Sequence, residues 1–111
     1  MNYLLNIVMM LTILVNASNF AFAGSSQGLV YAITIHEPDV LMFDTGPIYG
    51  SPPCNTVDQW AIKMNTILGK AMLATLLAAQ AQGKEVFAHG YSQTCAAWGD
   101  RELPSYIDII D

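Results

Sequence analysis

Residues 56–83 read TVDQWAIKMNTILGKAMLATLLAAQAQG, and the fold class turns on reading this stretch as one long helix. Thr56 is a good helix N-cap, Gln59 three residues later completes a capping box, and Asp58 in the first turn complements the helix dipole. Gly83 followed by Lys84 is the stop signal. A helix over 58–82 makes about seven turns, roughly 37 Å, longer than the average globular helix. In its first half Gln59, Lys63, Thr66 and Lys70 fall three and four apart and form one polar stripe. Continued along the same side, that stripe meets Leu73 and Leu77, and between Ala71 and Ala81 only Thr75 and Gln80 are polar. A helix on one small sheet buries a single face, so the remaining apolar surface needs another cover. A subunit interface built on Leu73, Leu76 and Leu77 is the expected cover. A domain that wraps the helix fully, or alanine-rich helix propensity alone, also accounts for the pattern. Met64 and Met72 read as packing residues.

Upstream, Gly24–Gly28 (GSSQG) reads as a flexible lead, and Leu29 to His36 alternates as a strand. Glu37-Pro38-Asp39 has turn chemistry, so Val40 to Phe43 is the return strand of a hairpin. Residues 44–53, punctuated by Gly46, Pro47, Gly50, Pro52 and Pro53, have room only for a short edge strand around Ile48-Tyr49. Downstream, Glu85 to Tyr91 reads as a strand, Ser92 to Leu103 as a loop, and Ser105 to Ile110 as a last strand after Pro104. This order predicts an α+β, mainly β domain spanning 24–111, a small five-stranded OB-like barrel with one long helix between strands 3 and 4.

The chain is 53% hydrophobic and 12% charged. The apolar excess lies at the front, where 17 of the first 23 residues are apolar against 42 of the 88 that follow. Tyr3 to Val15 is shorter than the ~20 residues a spanning helix needs and reads as the apolar core of a signal peptide. Ala21-Phe22-Ala23 supplies the A-x-A pattern, which places cleavage after Ala23, with Ala17 as a second site. No basic residue precedes Lys63, a departure from the usual signal, and a short retained anchor is the rival reading. Cleavage at Ala23 leaves residues 24–111 with no membrane span and places them in a bacterial periplasm or outside the cell.

With 4 Lys+Arg against 9 Asp+Glu, the chain lacks the basic patch that nucleic-acid binding requires. Cys54 and Cys95 can pair in an oxidising compartment. Closing a loop of about 40 residues contributes on the order of 4 kcal/mol in the chain-entropy model. No C-x-x-C, zinc spacing, G-x-S-x-G, H-E-x-x-H or phosphate-binding glycine loop occurs, so neither metal, cofactor nor enzyme activity is expected. His36 and His89, each on a strand, read as surface or packing residues rather than acid–base groups.

The loop YSQTCAAWGDRE, residues 91–102, is the most site-like stretch. Tyr91 and Trp98 can stack on a sugar ring, while Ser92, Gln93 and Asp100 can hydrogen-bond its hydroxyls. In the competing reading Trp98 packs against the disulfide and the helix while Asp100, Arg101 and Glu102 pair on the surface.

The signal peptide, the short mature chain, the N-terminal hairpin, the segment PPCNTVDQW before the helix, the ending LLAAQAQGKEV and a second Cys after the next strand form one pattern. It resembles the OB-fold B subunits of AB5 bacterial toxins, nearest to the subtilase-cytotoxin-like and pertussis-like group. The resemblance covers most of residues 28–110. It implies a homo-oligomeric ring, usually a pentamer, whose pore is lined by the long helices, whose outer face binds glycans and whose partner is an A subunit. In glycan-binding members a serine at the start of the first strand contacts the sugar. Here that neighbourhood reads Ser25-Ser26-Gln27-Gly28, and no binding residue transfers by position. A stand-alone periplasmic protein that binds or inhibits a partner enzyme is the alternative expectation.

Overall fold

The computed structural model describes residues 22–90 and 94–111. The fold is α+β and mainly β. Among the described residues six strands and one helix follow in the order β1 (Ser25–Leu29), β2 (Ala32–His36), β3 (Val40–Asp44), β4 (Trp60–Lys63), α1 (Ile67–Gln82), β5 (Glu85–Gly90) and β6 (Pro104–Ile110). They form two antiparallel three-stranded sheets, ordered β1-β5-β6 and β2-β3-β4. The expected five-stranded barrel with its helix after strand 3 is thereby corrected. There are six strands in two sheets, and the helix follows the fourth.

Two local misreadings produce the difference. The Gly/Ser-rich lead is strand β1, because its backbone pairs with β5 from Ser25↔His89 to Leu29↔Glu85. The chain then breaks at Val30-Tyr31, so the expected 29–36 strand is divided between the sheets. The expected helix over 58–82 begins only at Ile67. Trp60, Ala61 and Ile62 are buried and extended, paired opposite Phe43, Met42 and Leu41. Three consecutive buried positions suit a strand covered on both faces, whereas one turn of surface helix would expose at least one of them. Thr66 is the N-cap, its Oγ1 accepting from the Gly69 N–H at 2.9 Å. The Thr56/Gln59 capping box does not form: the Thr56 N–H donates to the Asp100 carbonyl, and Gln59 Oε1 accepts from Arg101 Nε. The helix stop falls where expected, with Gly83 at φ 64° and the Lys84 N–H closing on the Ala79 carbonyl.

The core lies between the sheets and under the helix. It draws Leu41 and Phe43 from β3, Trp60 and Ile62 from β4, Met72, Leu76 and Ala79 from α1, and Val86 and Ala88 from β5. The helix buries one face only, and Ile67, Ala71, Ala74, Leu77 and Ala78 on its other side are exposed. Buried polar groups also cross between the sheets: Trp60 Nε1 donates to Ser26 Oγ (2.9 Å), which in turn meets Thr45 Oγ1 (2.7 Å). The Cys54–Cys95 disulfide ties the segment before β4 to the segment after β5, as expected. Among the described residues no helix is long and apolar enough to cross a membrane. The signal segment 1–23 lies outside the described residues except for Phe22 and Ala23.

Candidate functional site

Strand periodicity gives the β1-β5-β6 sheet one inward and one outward face. Ser26, Val86, Ala88 and Gly90 are buried, while the residues between them point away from the core. The outward positions line up across the strands through the register. Ser25 lies opposite His89, which lies opposite Tyr106, and an isolated bridge sets Tyr49 opposite Ser25 on the far side. The Ser25–Tyr49 bridge is doubly hydrogen-bonded, at 3.0 and 2.8 Å, so the expected short edge segment at Ile48-Tyr49 is present as a single pair. Directly opposed residues of an antiparallel pair share a face. Tyr49, Ser25, His89 and Tyr106 therefore form one row, with Gln27, Phe87 and Asp108 as the row beside it.

The rings in these rows touch. The His89 and Tyr106 centroids are 5.5 Å apart, Phe87 and Tyr106 6.1 Å, and Phe87 and His89 6.3 Å in a stacked arrangement. Tyr49 and Tyr106 are 72% and 44% exposed, so the aromatic surface is open to solvent. Ser25, Gln27, His89 and Asp108 place hydrogen-bonding groups among the rings. Flat apolar rings interspersed with short polar side chains suit a ligand with an apolar face and a hydroxylated rim.

The expected loop site lies only in part within the described residues. Tyr91, Ser92 and Gln93 lie outside the described residues. Trp98 is half-buried, edge-on to His36 with centroids 4.7 Å apart, and packs with Val40, Met42, Ala61 and Ala97. Asp100 pairs with Arg101, and its carbonyl accepts the Thr56 N–H. Trp98 and Asp100 thus share a packed loop away from the aromatic rows. His36 Nδ1 donates to the Glu37 carbonyl at 2.7 Å. Of the expected interface leucines, Leu76 is fully buried in the chain's own core, where truncation to Ala costs about 2–5 kcal/mol. Leu73 is half-buried against that core, and Leu77 is half-exposed.

A concavity of about 290 Å³ opens between β4, the start of α1 and the segment leading into β6. Ile62, Leu68, Ala97, Leu103 and Pro104 line it, with Lys63 and Thr66 as its polar members, so it offers mainly apolar contact. Among the described residues no cluster of three or more His, Cys, Asp or Glu could hold a metal ion.

Glu102 was expected at the surface and is fully buried. The Gly24 N–H donates to its Oε1 at 2.9 Å and its Oε2 at 3.1 Å. Burial pushes this carboxyl above the ordinary carboxylate range, against the opposing pull of the Gly24 hydrogen bond and of the charge on His89. No sequence signal separates Glu102 from its neighbours Asp100 and Arg101. The aromatic rows were equally hidden, since their members come from four separated segments.

No protein-family model, curated protein or solved structure matches this chain.

Proposed function

We propose that this chain is an exported, disulfide-bonded binding module that recognises a glycan through the outward face of the β1-β5-β6 sheet. The observation that carries the reading is the row Tyr49, Ser25, His89 and Tyr106, flanked by Gln27, Phe87 and Asp108. The Cys54–Cys95 bridge fits an oxidising compartment. Self-association uses the outer side of α1, where Ile67, Ala71, Ala74 and Ala78 present small apolar side chains beside Leu77. Such a surface permits close approach of a second copy and is larger than isolated exposed residues require. In this reading the contact surface is the sheet rather than the Trp98 loop.

A glycan array probed with the oxidised protein tests the reading. Wild type binds a subset of glycans, Tyr106→Ala and Tyr49→Ala each lose at least about tenfold in affinity, and Trp98→Ala keeps the same set. Array silence by wild type, or equal binding by both tyrosine variants, refutes the sheet site. Light scattering at micromolar concentration tests assembly, for which Leu77→Glu should yield monomer. The alternative, a stand-alone periplasmic protein that binds or inhibits an enzyme, draws on edge strand β2. Its Ile35 and the neighbouring Tyr31 are 58% and 71% exposed and could receive a partner strand. A wild-type monomer with no glycan bound favours that alternative.

A further inference from the structure

The carboxylate of Glu102 is a buried acid whose only direct donor among the described residues is one backbone nitrogen, and that nitrogen belongs to Gly24, the residue after the Ala21-Phe22-Ala23 pattern. We propose that cleavage after Ala23 converts the Gly24 nitrogen into an α-ammonium group that becomes the counter-ion of Glu102, so that removal of the leader completes the fold. The proposal rests on the export reading above. In the cleavage step a signal peptidase adds water across the Ala23–Gly24 amide. The C–N bond breaks, Ala23 departs with a carboxylate, and Gly24 keeps its nitrogen as an amine that takes up a proton at neutral pH.

Three features of the site support this use. Both carboxylate oxygens lie within hydrogen-bond distance of the one nitrogen, so an amide must share a single hydrogen between them. An ammonium supplies three hydrogens and a full charge to the same two atoms. The nitrogen stays in place without the leader, because the Gly24 carbonyl accepts from the Gly90 N–H at 3.0 Å and Ser25 is doubly bonded to Tyr49. The space is also shaped around the acid: a side chain at Gly24 or at Gly90 would overlap Glu102. Phe22, on the leader side, is exposed.

No other cation is arranged to take this role among the described residues. Arg101 pairs with Asp100, Lys63 with Asp39 and Lys84 with Asp111, while Lys70 is exposed on α1. His89 on β5 is the nearby titratable group whose charge reaches Glu102. A buried acid without a counter-charge is destabilising when ionised, and supplying the partner offsets that cost. In the processed chain the pair holds the Glu102 carboxyl low and the α-amine above its ordinary ~8. Stability then falls when pH drops through the lowered carboxyl pKa and when it rises through the raised amine pKa.

The test begins with the full precursor, expressed in a secreting bacterium, and the mass of the exported product. A product beginning at Gly24 is expected; a product beginning at Ser18, or a retained leader, overturns the proposal and the cleavage reading together. The oxidised chain beginning at Gly24 is then compared with one beginning at Ala23, prepared behind a cleavable tag, each with and without Glu102→Gln. The Gly24 chain should melt about 5 °C or more above the Ala23 chain at pH 7 and lose that advantage on Glu102→Gln. Its melting temperature should also drop above pH 9, a response that the Ala23 chain lacks. A correct Gly24 terminus with equal melting of the two chains, or an unchanged difference in the Gln variants, overturns the ion pair and leaves the export reading standing.

Discussion

Trp60 and Ser26 are joined across the interior: the indole Nε1 of β4 donates to the hydroxyl of β1 at 2.9 Å, a side-chain hydrogen bond between the two sheets. Both residues are buried, and the same hydroxyl meets Thr45 Oγ1. Ser26→Ala therefore leaves two polar groups without a partner. A loss of about 1–3 kcal/mol is expected, read as a lower urea midpoint with unchanged slope.

The position of the helix start gives a paired prediction. Thr66→Ala removes the cap on Gly69 and should cost about 0.5–2 kcal/mol, whereas Thr56→Ala should stay within about 0.5 kcal/mol. Equal losses at the two sites, measured by urea denaturation, would return the cap to Thr56.

These two sites also show what was legible. Gly83 was readable because a left-handed C-cap is a local requirement, met by glycine chemistry alone. Strands β3, β5 and β6 were readable from short apolar runs bounded by turn residues. Trp60-Ala61-Ile62 was not, since an apolar triplet suits helix and strand alike and is settled by pairing with Phe43, Met42 and Leu41. β1 was hidden for the same reason: its composition is that of a lead, and its strand character comes from β5, some 60 residues away. The burial of Glu102 depends on the absence of side chains at Gly24 and Gly90, remote in the chain from it and from each other.

Reduction of Cys54–Cys95 reopens a loop with a sequence separation of 41 and should cost about 2–4 kcal/mol. Denaturation with and without reductant measures it, and alkylation of native protein should modify neither cysteine.

A glycine prediction tests the Glu102 enclosure. Gly90→Ala forces a methyl group against the buried carboxylate and should destabilise by about 1–3 kcal/mol. Gly99→Ala, at a position with open space around it, should change stability by less than about 0.5 kcal/mol in the same denaturation assay.

Where Gly24 is an internal residue, the sign of the pH dependence follows from the raised Glu102 carboxyl. The folded state then holds this proton more tightly than the unfolded chain. Its contribution is fully present below the unfolded value of ~4.3 and is lost as pH rises through the higher folded pKa. In a chain beginning at Ala23, Glu102→Gln should flatten that decline above the unfolded carboxyl value, measured as the urea midpoint at each pH.

The strand order β1-β5-β6 has a kinetic consequence. The β2-β3-β4 sheet is a meander of neighbours and can assemble while the ribosome is still making the helix. β1 has no partner strand until Glu85–Gly90 has been synthesised, and β6 closes the same sheet from the last residues of the chain. Closing so distant a contact carries a large loop entropy and slows folding. The β1-β5-β6 sheet is therefore the last part of the fold to close, once β6 has been made.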